Sequence, residues 1–283
     1  KKFLVMVRFL KLMRKLRAVI LTEGGQKIGF GHITRCLALK DALRAKKAHA
    51  VLIVHGDASV KRHFQKQIDV ITNWLSREKT LCRFTRRADI VVIDSYLAPL
   101  RVYQRIAAKV PLAVYLDDFL RLRYPKGIIV NGAIAAETFK YPRMEKTEYR
   151  LGASYALLRR TFWKIPARVH RKRIRSVLVT FGGIVRADFN QGIIRFLSDR
   201  FPQWDFYFIT PQKRLFDAAS GFKNVHLRYD LTAEKIKNLM KRCDVAISGC
   251  GQTTNELAAS GIPSVGIGFA ANQRLNIAGW QKK

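Results

Sequence analysis

The sequence predicts an α/β protein made of two parallel-sheet halves, and three observations carry that reading. Short apolar runs alternate with helical patterns from residue 17 onward. The runs are continuously apolar, as strands covered on both faces are, instead of alternating apolar with polar. A chain of 283 residues exceeds what a single small core supports, so two domains are expected.

The first half opens with RAVILT (17–22) as a strand and HITRCLALKDALRAKK (32–47) as a helix. HAVLIVHGD (49–57) and SVKRHFQKQI (59–68) repeat that unit. ADIVVIDSY (88–96), the helical LRVYQRIAAK (100–109) and PLAVYLDD (111–118) continue it. A basic stretch, KIPARVHRKRIR (164–175), marks the boundary. The second half runs through strands SVLVTFGG (176–183), WDFYFIT (204–210), NVHLRYD (224–230), DVAISGCG (244–251) and PSVGIGF (263–269). Helices QGIIRFLSDRF (191–201), TAEKIKNLMKRC (232–243) and TTNELAASG (253–261) separate them. The expected domains are therefore a basic extension 1–16, a first α/β domain 17–165 and a second, 172–283. Two such domains facing a cleft suit a large polar ligand bound beyond the carboxyl ends of the strands.

Fifty-three Lys and Arg against 20 Asp and Glu give a net charge of +33. The cations are spread along the whole chain, which predicts a generally basic surface and no specific nucleic-acid partner. The four cysteines, Cys36, Cys82, Cys243 and Cys250, form no CxxC pair and no metal-ligand spacing. Reduced thiols in a cytoplasmic protein are expected. Residues 1–15, KKFLVMVRFLKLMRK, read as a basic amphipathic arm with at most weak membrane-surface contact. The apolar runs between its charges are too short for a signal or a transmembrane span. A monomer is the expected state.

Two glycine-rich turns carry the chemistry. In GFGHITR, Gly29 and Gly31 allow positive φ and close approach of a ligand, and His32 opens the next helix. The helix N-terminus attracts an anion and favours the neutral ring, which can then accept a proton. A histidine merely solvated in a loop fits the same local sequence equally well. In SGCGQTTNELAASG, Ser248 ends a strand and Gly249 opens a turn able to cradle a diphosphate. Thr253-x-x-Glu256 reads either as a capping box or as a carboxylate for the two hydroxyls of a ribose. Cys250 lies in that turn without a partnered histidine, so thiol catalysis is not expected. TFGG puts Gly182 and Gly183 behind a strand. Asp94, Tyr96, Asp117 and Asp118 close strands of the first half, where carboxylates bind sugar hydroxyls or are simply solvated. His55 and Asp57 close another.

GFGHITRCLAL, IVVIDSY, LGASYALLR, FGG, SGCGQTTNELAASGIPSVGI and NQRLN occur in the order found in one family. The chain resembles the UDP-2,4-diacetamido-2,4,6-trideoxy-β-L-altropyranose hydrolases of pseudaminic acid biosynthesis. It is also similar to the related spore coat polysaccharide biosynthesis proteins, within the GT-B superfamily of glycosyltransferases. The resemblance spans residues 17–283. It implies a GT-B-like fold and hydrolysis of a UDP-sugar at the anomeric C–O bond, with inversion and without cofactor or metal. His32 matches the catalytic histidine, and Gly29, Gly31 and Arg35 lie by sugar and phosphates. Ser248, Gly249, Thr253, Thr254 and Asn255 match the diphosphate turn, Glu256 the ribose contact, and Asn272 and Gln273 the sugar contact. The chain departs from the pattern at Ile184, Val185, Arg186 and Thr161. It also stops before the closing helices of the GT-B pattern, so a shortened C-terminal end is expected. Transfer from a nucleotide-sugar donor, the other activity of the superfamily, is the alternative to hydrolysis. A polyanion-binding protein on the same scaffold is a further one.

Overall fold

A computed structural model describes residues 15–76, 78–181, 187–210, 215, 219–229, 231–269 and 273–282. The chain divides into two units, the first ending at Leu157 and the second beginning at Leu158. The first unit holds β1 (Arg17–Gly24), β2 (His49–Gly56), β3 (Val70–Ile71), β4 (Ile90–Asp94), β5 (Leu112–Leu116), β6 (Gly127–Asn131) and β7 (Thr147–Leu151). Their order is β3-β2-β1-β4-β5-β6-β7, and every neighbouring pair is parallel.

Each buried strand feeds both faces of this sheet, because successive side chains point to opposite sides. Val19, Leu21, Ile53, Val91 and Ile93 join one core. Ile20, Leu52, Val54 and Val92, one residue out of step, join the other. Two-sided burial is why these strands read as unbroken apolar runs. The helices Gly31–Ala45, Ala58–Phe64, Glu78–Thr85 and Leu100–Lys109 are the crossovers from β1 to β5.

The winding reverses between β1 and β4, so the carboxyl ends of these two neighbours flank the crevice where open α/β sheets bind ligands. Glu23 and Gly24 end β1, and Asp94 ends β4.

The second unit holds β8 (Ser176–Thr180), β9 (Asp205–Ile209), β10 (Val225–Arg228), β11 (Val245–Ser248) and β12 (Ser264–Gly266). Their order is β10-β9-β8-β11-β12, again all parallel. Val177, Val179, Phe206 and Phe208 face one core, while Leu178 and Ala246 face the other. The second core also takes Phe162, with Leu158 and Ile165 against it. Residues 158–165, read from sequence as the end of the first domain, therefore pack with the second. Here the winding reverses between β8 and β11.

Among the described residues no helix is long and apolar enough to cross a membrane. Residues 1–14 of the basic arm, and Gly182, Gly183, Ile184, Val185, Arg186 and Asn272, lie outside the described residues.

Candidate active site

The loop from Gly25 to Gly29 closes on itself. The Gly25 N–H donates to the Gly29 carbonyl at 3.1 Å, and the Gly29 N–H donates back at 2.7 Å. Gly29 takes φ 85°, a left-handed conformation that a side chain would strain. Gly31, read as sharing that freedom, is instead the first residue of the helix Gly31–Ala45. This fixes His32 in the first turn of the helix and puts Arg35, three residues on, over the same face.

His32, Arg35 and Asp94 are all buried. Asp94 Oδ1 lies 2.7 Å from His32 Nδ1 and accepts from Arg35 Nη2 at 2.5 Å. Its other oxygen accepts from Arg35 Nε at 2.6 Å and from the Cys36 thiol at 3.3 Å. Arg35 turns its remaining donors to Asp118, with Nη1 to Oδ1 at 2.6 Å and Nη2 to Oδ2 at 2.9 Å. The Tyr96 hydroxyl donates to Asp118 Oδ2, and the Tyr96 ring meets the His32 ring edge-on with centroids 4.3 Å apart.

Electrostatics follow from this packing. Burial opposes ionisation of Asp94, but the Arg35 charge and the contact with His32 outweigh it and hold its carboxyl well below the usual carboxylate range. Asp118 is lowered in the same way, with burial opposed by Arg35. Burial also works against the Arg35 cation, yet Asp118 and Asp94 raise it overall. Burial, then Asp94, pushes the Cys36 thiol well up. One cation between two carboxylates leaves a net charge of −1 with a neutral imidazole.

The structure changes two sequence readings here. The sequence has Asp94 either binding sugar hydroxyls or simply solvated; its carboxylate is instead fully buried and occupied by protein donors. Arg35 was read as lying by sugar and phosphates, but it is spent on Asp94 and Asp118. Both position His32. Glu23, which the sequence reading missed, does the same for Tyr96. Fully buried, it accepts from the Tyr96 N–H at 2.7 Å and the Leu97 N–H at 3.1 Å, and Ser95 donates to its other oxygen. Glu23 was hidden because it lies just past RAVILT (17–22), the run read as the strand, which the structure extends to Gly24. Asp117 is buried among Tyr124 and Tyr141 hydroxyls and the Leu120 and Arg121 amides.

In the second unit the capping box is not formed. Gln252 precedes the helix Thr253–Ala259, and no side chain caps it. Glu256 instead accepts both forks of Arg159, from Nε and Nη2 at 2.6 Å each. Gly249 sits against Phe181, and its N–H is taken by the Thr180 carbonyl at 3.1 Å. The Ser248 Oγ and Thr254 Oγ1 atoms are buried with no hydrogen-bond partner among the described residues, and a buried hydroxyl without a partner is costly unless a ligand supplies one. Asn255 follows on the same turn, half-buried. Cys250 takes φ 52°, and burial pushes its thiol up, opposite to an activated nucleophile. Gln273 accepts from the Phe269 N–H at 2.7 Å. Thr161 donates to Glu234. Among the described residues no three His, Cys, Asp or Glu side chains are grouped to hold a metal ion.

No protein-family model matches the chain. It is 24% identical over 249 residues, 87% of its length, to the pseudaminic acid cytidylyltransferase and UDP-2,4-diacetamido-2,4,6-trideoxy-β-L-altropyranose hydrolase of Helicobacter pylori, covering 43% of that protein. It is 23% identical over 269 residues to the uncharacterized protein MJ1062 of Methanocaldococcus jannaschii, covering 88% of this chain and 55% of that one. The chain thus spans about half the length of the curated relatives it matches. The solved structure of Acinetobacter baumannii MurG superposes over 94% of this chain and 84% of its own, at TM-score 0.63 and 12% identity. The two parallel sheets and these neighbours give the chain the fold of the GT-B glycosyltransferases.

Proposed function

We propose that the chain hydrolyses a UDP-linked amino or deoxy sugar at its anomeric C–O bond, releasing UDP and the free sugar for surface-polysaccharide or nonulosonic acid synthesis. The observation that carries this reading is the buried Asp94 carboxylate on His32 Nδ1 at 2.7 Å. A carboxylate there holds the proton on Nδ1 and leaves Nε2 as the accepting atom of the neutral ring. A base so oriented takes a proton from water as the water attacks the anomeric carbon. The C–O bond to the diphosphate breaks, and the sugar is released with inverted configuration.

The hydrolase named in the Helicobacter pylori relative supports the substrate class. In the second unit, Ser248, Gly249, Thr253, Thr254 and Asn255 are proposed to take the diphosphate, and Glu256 the ribose. The hydroxyls of Ser248 and Thr254, buried and without a partner among the described residues, are the support for that assignment. Gly29 and Gly31 in the first unit and Gln273 in the second are proposed as substrate contacts; Gly182, Gly183 and Asn272, expected to share that role, lie outside the described residues.

Turnover in ¹⁸O-labelled water tests the reading. The label is expected on the sugar, with the anomeric configuration inverted by NMR. Label on the nucleotide, or retained configuration, overturns it. The shared glycosyltransferase fold favours one second reading, transfer to an acceptor, which release strictly dependent on an added acceptor would establish.

A further inference from the structure

A surface pocket of about 560 Å³ lies over the end of the helix Ala58–Phe64 and the turn that follows, lined by Lys61, Arg62, His63 and Lys66 with Gln65 and Gln67. None of its lining residues is acidic. Lys61, Arg62 and Lys66 enter no ion pair among the described residues. The nearest carboxylates in sequence are already occupied. Asp57 accepts from the Ser59 N–H and hydroxyl and from the Gln26 N–H. Asp69 is held by Lys40 at 2.6 Å, Arg44 at 3.2 Å and the Leu52 N–H at 2.7 Å. Lys40, itself buried, also fixes the wall by donating to the Gln67 carbonyl at 2.7 Å. The pocket is thus a concentration of unneutralised cations on a braced frame, which the hydrolase reading does not use.

It is also tied to the catalytic loop. His63 and Phe64 both pack on Phe30, with ring centroids 5.4 Å apart in each case. Phe30 immediately precedes the helix that carries His32. Asp57, at the head of the pocket's helix, anchors Gln26 on the other side of the loop.

We propose that this pocket binds a small multivalent oxyanion, of the di- or triphosphate class. Its volume falls in the range of small-molecule sites, roughly 300–1,000 Å³, and three cations match an anion of two or more charges. The two glutamine amides add donors that orient oxygens. A single-stranded nucleic acid fits less well, because such sites offer aromatic faces for stacking bases, and the pocket's one ring, His63, is packed on Phe30. The inference is independent of the sugar-nucleotide reading.

Calorimetry with inorganic tripolyphosphate and pyrophosphate tests it, run beside Lys61→Gln/Lys66→Gln and a charge-matched control, Lys172→Gln/Arg173→Gln. Lys61, Lys66, Lys172 and Arg173 are all exposed, so neither pair of changes threatens folding. Saturable binding is expected, with a component weakened at least about tenfold in the pocket variant and little changed in the control. In a parallel NMR titration with tripolyphosphate the His63 ring resonances should shift in wild type. Equal weakening in both variants would show diffuse surface charge only and overturn the proposal. So would absent binding, or a preference for a short RNA over tripolyphosphate at matched phosphate concentration. The pocket variant leaves the proposed diphosphate turn at Ser248 and Thr254 unchanged, so the difference between variant and control is read apart from the hydrolase reading.

Discussion

Asp94 Oδ1 is shared by His32 Nδ1 at 2.7 Å and Arg35 Nη2 at 2.5 Å, so one carboxylate oxygen fixes both the ring and its neighbouring cation. Replacing Asp94 by Asn keeps the shape but turns an amide N–H toward a donor and removes the negative charge. The ring loses its oriented proton, and kcat should fall by roughly 10³–10⁴-fold with KM little changed. Steady-state kinetics of Asp94→Asn check this; an equal loss confined to KM would place Asp94 in substrate binding instead.

The same pair sets the acid response. Asp94 and Asp118 both have folded pKa values below their unfolded ones. Their contribution to stability is therefore complete above the unfolded carboxylate pKa, near about 4. It is lost as pH falls from there through the folded values. Urea unfolding at a series of pH values from 7 to 3 should show the wild type losing stability on acidification more steeply than Asp94→Asn. Parallel profiles would contradict the assignment.

Arg159 and Glu256 form a two-pronged pair, with side chains 24% and 9% exposed. Arg159→Ala strands a largely buried carboxylate and should destabilise the second unit by roughly 3 kcal/mol. Arg159→Lys restores charge without the fork and should recover only part of it. On the proposed ribose role, Glu256→Gln should raise KM for the UDP-sugar more than it lowers kcat. Thermal unfolding and initial rates separate the two effects.

Cys250 should be a poor nucleophile, because burial raises its thiol and only 5% of the residue is exposed. Mass-mapped alkylation with iodoacetamide at neutral pH should modify the half-buried Cys82 well before Cys250. Cys250→Ala should keep UDP release. Fast labelling at Cys250 that tracks loss of activity would reverse this view.

The central strands were legible because β1, β4 and β8 are buried on both faces and spell unbroken apolar runs. The edges were not. β6 and β7 carry polar and glycine residues, and β7 is only half-buried throughout, so no apolar run announces it. At the site, His32 stood out through its glycines, but its partners did not. Asp94, Asp118 and Glu23 lie 59 to 83 residues from Arg35 or 72 residues from Ser95. Only the sheet order that brings β1, β4 and β5 side by side joins them. The capping-box spacing at Thr253 and Glu256 was a local pattern overridden by Arg159, 97 residues away.

The measurement that tests the central claim most directly is UDP release from a panel of UDP-amino sugars without acceptor, in wild type and His32→Ala. The account predicts release in wild type, unchanged by a chelator, and a loss of at least about 10²-fold in the variant. Wild-type release that survives in His32→Ala would contradict it, because the buried Asp94–His32 pair would then have no part in the chemistry.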